Sequence, residues 1–228
     1  MLKTRLFDLE ERVPLSKDSI DSFERAREYD LNARISMRFP LERLISLVAP
    51  FCKEGSQILN VGSQSGLLAL MFGSLNPKVE ILGIEENEFL LKTSEENMML
   101  AAMVKSPAKA IFQSGSFARL PVEDKTADIV LSYLPLFRCA DPVKLLKECA
   151  RVCKPEGLVF IYDIARDAEE GMISFILQYI SAGQDEFMGS LKASYTSEEV
   201  KELLKKAGLD KWVVTKEQLN LRICSKQI

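Results

Sequence analysis

The stretch Gln57–Gly73, QILNVGSQSGLLALMFG, decides how the rest of the chain is read. It opens on Ile58-Leu59-Asn60-Val61, short and apolar like a buried strand. Gly62-Ser63-Gln64-Ser65-Gly66 follows, small and polar, and then Leu67, Leu68, Leu70 and Met71 at helical spacing. A strand, a glycine corner and a helix start in succession present unpaired backbone N–H groups at the positive end of a helix dipole. Such a corner suits the polar part of a nucleotide-like ligand. An ordinary strand-to-helix turn is the competing reading of this segment taken alone.

The next stretch weighs between them. Val79–Ile84 reads as a second strand ending at Glu85, 23 residues beyond Gly62. A carboxylate at the tip of a neighbouring parallel strand can accept both hydroxyls of a ribose, a role that a solvated surface glutamate has no reason to hold.

ILNVGSQSG and ILGIEENEFL resemble the first and second motifs of class I S-adenosylmethionine-dependent methyltransferases, small-molecule type. The likeness runs on through Leu120-Pro121, Asp128, Glu148 and Lys154-Pro155-Glu156-Gly157, in that order, and covers about residues 58–208. It implies a Rossmann-like, doubly wound α/β fold with a mostly parallel seven-stranded sheet, a C-terminal antiparallel hairpin and helices on both faces. It implies S-adenosyl-L-methionine as cofactor and methyl transfer to a small-molecule acceptor. Carried over by position, the cofactor residues are Asn60, Gly62, Ser63, Gln64, Gly66, Glu85, Glu86, Ser116, Phe117, Ser132, Tyr133 and Leu134. Within this set the Gly62–Gly66 corner passes under the amino-acid end, Glu85 holds the ribose, Ser116 and Phe117 meet the adenine edge, and residues 132–134 flank the methionine portion. Three positions depart from the family: Asn60 and Ser116 where an acidic residue is usual, and Gln64 where a glycine is usual. Those departures motivate a second reading, a methyltransferase-fold protein with a degenerate cofactor site serving as a non-catalytic interaction or regulatory subunit. A nicotinamide-dependent oxidoreductase ranks third, because its fingerprint needs glycines that Gln64 and the residues after Leu67 do not supply.

Composition narrows the field further. The chain has 228 residues, 47% hydrophobic and 28% charged, which fits one domain, or one domain with a small cap. A net charge of −3 argues against a dedicated nucleic-acid surface. No apolar run reaches membrane-span length, and MLKTRLFDLEERVP lacks a signal core, so a cytoplasmic location is expected. Five cysteines without close-paired spacing fit a reducing compartment, with Cys149 and Cys153 as core filler. There is no histidine, which removes Ser-His-Asp hydrolysis and most zinc sites; no metal site is expected. Methyl transfer from a sulfonium tolerates that lack, since the protein mainly aligns the reactants and excludes water. Tyr133, Tyr162 and Asp163, at strand ends facing one crevice, are the candidates for a general base, and the sequence does not choose among them.

In chain order, residues 1–15 read as an arm. Residues 16–51 are helical, broken near Pro40, and within an arm and lid formed by residues 1–51 the lid candidates are Tyr29, Met37 and Arg38, of which Tyr29 and Arg38 are substrate candidates. Phe137 joins them from the loop after the fourth strand. The core spans residues 52–228, with further strands at 108–113, 128–133 and 158–162. Residues 165–195 interrupt the alternation as a substrate cover: an apolar helix at 172–180 and then a flexible SAGQDEFMGS segment. Thr196–Glu199 caps a helix closed by Gly208, and 212–216 with 219–224 form the hairpin.

Overall fold

The computed structural model describes residues 6–15, 20–180 and 183–228. Its single sheet contains β1 (Gln57–Val61), β2 (Glu80–Glu85), β3 (Ala110–Ser114), β4 (Ala127–Tyr133), β5 (Cys153–Ile164), β6 (Val213–Glu217) and β7 (Asn220–Cys224). The order is β3-β2-β1-β4-β5-β7-β6, parallel from β3 through β5 and antiparallel in the β5–β7–β6 hairpin edge. Parallel neighbours require crossovers, which α3 (Leu67–Leu75), α4 (Glu88–Met103) and α5 (Pro142–Val152) supply. Strand order reverses between β1 and β4, so a crevice opens at the carboxyl ends of these two strands, where open α/β sheets bind ligands.

Both faces of the sheet are covered, as the continuous apolar strands demand. One face packs α2 (Arg38–Val48), through Leu41, Leu44, Ile45 and Val48, together with Leu68 and Phe72 of α3. The other packs Leu145, Leu146 and Cys149 of α5 against Ile173 of α6 (Glu170–Tyr179), Leu191 of α7 (Gln184–Ala193) and Val200 and Leu204 of α8 (Ser197–Ala207). In α8, Thr196 accepts from Glu199 N–H while Glu199 returns the bond, and Gly208 closes the helix in the left-handed region.

Three expectations change. First, the N-terminal helices divide at Met37, between α1 (Phe23–Ser36) and α2. Pro40 sits inside the first turn of α2, where its missing N–H removes no helical bond. The expected start at Ser16 lies outside the described residues. Second, the segment read as flexible is largely α7. Gly183 takes the left-handed entry, Asp185 and Glu186 suit the N-terminal dipole, and buried Leu191 and Ala193 fix the helix; Ser181 and Ala182 lie outside the described residues. Third, residues 6–15 of the arm are strapped down. Leu6 N–H donates to Glu170, Val13 N–H to Lys192 O and Arg12 Nε to Ala193 O. The carbonyls of Leu9 and Glu10 accept from the buried guanidinium of Arg166.

Candidate functional site at the β1–β4 switch point

The corner after β1 is built from three left-handed residues, Gly62 (φ 68°), Gln64 (φ 54°) and Gly66 (φ 80°). A Cβ at Gly66 would stand 2.7 Å from the Phe112 ring, so only glycine fits there. Gln64 holds its backbone against a penalty of about 1–2 kcal/mol for an L side chain. The amides expected to be unpaired are largely engaged: Gly62 and Ser63 N–H donate to Ile84 O, Gly66 N–H to Ser63 O and Gln64 N–H to Glu85 Oε2. The reason is proximity, since the corner closes directly onto the tip of β2.

Glu85 is the hub of that closure. Its carboxylate is buried and accepts from Gln64 N–H at 2.7 Å and from Glu86 and Asn87 N–H at 3.1 Å each. Burial pushes its pKa up, against those N–H bonds and the charge of Arg138. A carboxylate offers about four lone-pair sites, so about one is left for a ligand hydroxyl. Asn60 is buried beneath the corner: its Nδ2 donates weakly to Leu131 O at 3.5 Å, while its Oδ1 has no partner. The buried Ser63 Oγ also lacks one.

Phe117 is buried with its ring over the corner, 3.6 Å from where a Cβ on Gly62 would lie, and its N–H donates to Glu86 Oε1 at 2.5 Å. Ser116 is exposed and its Oγ accepts from Ala118 N–H within its own turn. Ser132 is buried and donates to Val61 O. Leu134 is left-handed (φ 56°), with its N–H on Tyr162 O.

The candidate bases are not arranged as expected. Tyr133 stacks on Tyr162 with ring centroids 6.3 Å apart, and burial raises the pKa of both, Tyr162 to about 12. The Tyr162 hydroxyl turns to Glu217 at 3.1 Å, toward the hairpin, which corrects the reading of one shared crevice. Strand alternation sends Asp163 to the opposite face from Tyr162. There each Asp163 oxygen accepts one backbone N–H, from Leu136 and Ile164 at 2.8 Å, and burial pushes its pKa up to about 7.

Above the corner lies α1. The Tyr29 hydroxyl donates to Gln64 Oε1, and Gln64 Nε2 donates to Tyr133 O at 2.8 Å. The Arg138 guanidinium lies 5.3 Å from the Tyr29 ring and 5.4 Å from that of the buried Phe137. A small cavity bordered by Ala33, Met37, Leu41 and Gln64 has a volume of about 10 Å³. Arg38 is elsewhere, on the α2 surface paired with Glu42. Sequence reasoning missed Asp30, Asn97 and Arg138. Asn97 donates to Asp30 Oδ1 and to Ser65 O, both at 2.9 Å, tying α1 and the corner to α4. Only the i,i+4 spacing of Asp30 and Arg34 signalled any of this.

The remaining motif residues are scaffold. Glu148 accepts from Leu120 N–H and pairs with Arg151, and Asp128 joins Gln57 N–H to Lys154.

Residues 59–161 match the family model described as methyltransferase domain. An uncharacterised methyltransferase of Schizosaccharomyces pombe is 34% identical over 111 residues, 48% of this chain and 40% of that protein. A malonyl-[acyl-carrier protein] O-methyltransferase of Marinomonas is 30% identical over 139 residues, 60% of this chain and 48% of its own length. The matched regions thus span less than half the length of these curated relatives. Among solved structures, a SAM-dependent methyltransferase from Aquifex aeolicus superposes with TM-score 0.61 at 19% identity, over 89% of this chain and 97% of that one. The plantazolicin methyltransferase BpumL, in complex with a triazolic desmethylPZN analog and SAH, gives 0.67 at 16% identity over 90% of each.

Proposed function

We propose that the chain, which matches a methyltransferase-domain model over residues 59–161 and shares the fold of S-adenosylmethionine-dependent methyltransferases, transfers a methyl group from S-adenosylmethionine to a small-molecule acceptor. The observation that carries this is the pair of buried, unpartnered oxygens, Asn60 Oδ1 and Ser63 Oγ, beside Glu85 at the switch point. Buried acceptors in native proteins nearly always have partners, so two at one corner speak for a donor-rich ligand. That set suits the cofactor: Asn60 and Ser63 would face its amino-acid end and Glu85 a ribose hydroxyl. Phe117 would border the adenine edge, with Glu86 and Ser116 beside it, and Ser132, Tyr133 and Leu134 the path of transfer. The cofactor supplies an activated methyl on a good leaving group. The chain's own part is to hold acceptor and sulfonium in line and keep water out. Where the acceptor must lose a proton, burial raises the Asp163 carboxyl to about 7, nearer a base's range than Tyr133 or Tyr162, but each of its oxygens already accepts a backbone N–H.

We assign residues 1–51 to an N-terminal arm and lid, of which α1 is the part over the crevice, 52–228 to the core and 165–195 to an acceptor cover. Tyr29 and Phe137 are the acceptor contacts in this reading. Among the described residues no helix is long and apolar enough to cross a membrane. The five free thiols favour a reducing cytoplasm. The test is methyl transfer from radiolabelled S-adenosylmethionine to a panel of small hydroxyl, amine and carboxylate acceptors. Transfer above a no-enzyme control supports the assignment. Cofactor binding without transfer to any acceptor would instead favour a non-catalytic subunit.

A further inference from the structure

We propose that Gln64 and Tyr29 form a latch that seats α1 in the cofactor crevice, so that the cofactor enters only when α1 lifts. This rests on the methyltransferase reading and adds a control over its site. The first argument is room. The cavity under α1 measures about 10 Å³, about one water molecule's worth, whereas ligand pockets run to roughly 300–1,000 Å³.

The second is the residue that fills the space. Gln64 stands where the resembling family has glycine, keeps a left-handed backbone, and is bonded at both ends of its side chain, to the Tyr29 hydroxyl on α1 and to Tyr133 O on β4. A glycine there would take the same backbone without strain and would leave both partners free.

The third is how α1 is held. Its buried residues are Ala26, Asp30 and Ala33, small or polar, while Leu31 and Ile35 are 64% and 80% exposed. Its ties to the rest of the chain are mainly polar: Asn97 to both Arg34 and Asp30, Tyr29 to Gln64, and the exposed pair Arg27–Glu96. Its apolar contacts are Ala26 with Ile20 and Leu90, Tyr29 and Phe89 against that cluster, Phe23 edge-on to Phe89 at 5.0 Å, and the buried Ala33. Polar ties can be exchanged for bonds to water at small net cost, unlike a large apolar face. By contrast α2 buries four large side chains in the core, so Met37, at the junction, is where α1 would turn.

A crevice open only part of the time binds with an affinity reduced by its open fraction. The test measures S-adenosylhomocysteine binding by calorimetry for the wild-type chain, Tyr29→Phe and Gln64→Gly, with melting curves on each. Loosening the latch by about one hydrogen bond should tighten binding about threefold to tenfold in either variant. The double variant should gain less than the product of the two, since both remove one contact. Amide exchange over residues 23–36 should quicken in both variants and that of α2 stay unchanged. Equal or weaker binding by both variants, with wild-type melting, overturns the latch and leaves the methyltransferase reading standing. Binding by none of the proteins overturns both.

Discussion

At the scale of single residues, the site is governed by where carboxylates and amides lie relative to backbone N–H groups. Asp163 is the clearest case. Its folded pKa is raised to about 7 by burial, against about 3.9 for an unfolded chain, so the fold holds a proton that the unfolded state has released between these values. Stability from this group therefore declines as pH rises from about 4 to 7 and is flat outside that window. Carbon NMR of the Asp163 carboxyl should give a midpoint near 7; a midpoint near 4 would show the group ionised throughout that range. Asn60 gives a second prediction. Asn60→Asp would set a buried carboxylate against Leu131 O and lose the weak Nδ2 bond, destabilising the chain by about 1–3 kcal/mol. A cationic ligand at the corner would restore the loss, so melting of this variant should recover more with S-adenosylmethionine than wild type gains. Equal shifts would remove residue 60 from the site. Glu85's place at a strand tip was legible in the chain. That three backbone N–H groups already occupy it was not, because their directions are set by how the corner closes on β2.

At the scale of elements, local signals succeeded where they were dense. Glycines flanking an apolar run placed β1, the corner and α3, and the Thr196–Glu199 box with Gly208 bounded α8. They failed at α7, whose Gly183 and Gly189 read as breaks. That helix is fixed by buried Leu191 and Ala193, contacts invisible to local pattern. The turn before β4 shows a motif residue at work on an element. Glu148 holds Leu120 N–H and Arg151, and the Arg151 bond draws its pKa below the usual carboxylate range. The stability it adds is present above the unfolded pKa and is lost as pH falls through the lower folded one. Glu148→Gln should destabilise by about 1–2 kcal/mol at neutral pH, with the difference narrowing in acid, when measured by urea unfolding. A difference independent of pH would mean the charge is irrelevant and only shape matters.

At the scale of the whole molecule, the N-terminal arm is tied to the helices that follow the fifth strand. The arm at residues 6–13 crosses to α6 and α7, and Arg166 binds the arm's carbonyls, Ser194 O and Glu199 together. Arg166→Met would take this donor from the buried Ser194 O and the partly buried Leu9 O and should destabilise by about 1–3 kcal/mol. Hydrogen exchange should show residues 6–13 and α7 loosening together while β1–β4 keep their protection. Loosening confined to the arm would separate the arm from the cover. Such long-range ties leave no mark on local sequence, since the partners lie more than 150 positions apart.

Calorimetry of the wild-type chain with S-adenosylmethionine, with NAD as control, decides whether the switch-point corner is a methyl-donor site, as proposed. One-to-one binding of S-adenosylmethionine and none of NAD is predicted. Ligand at a hundred times the dissociation constant should raise the melting temperature by about 5–10 °C, the equivalent of roughly 2.7 kcal/mol. Preferential binding of NAD, or no heat and no melting shift with S-adenosylmethionine even in the Gln64→Gly variant, would contradict it.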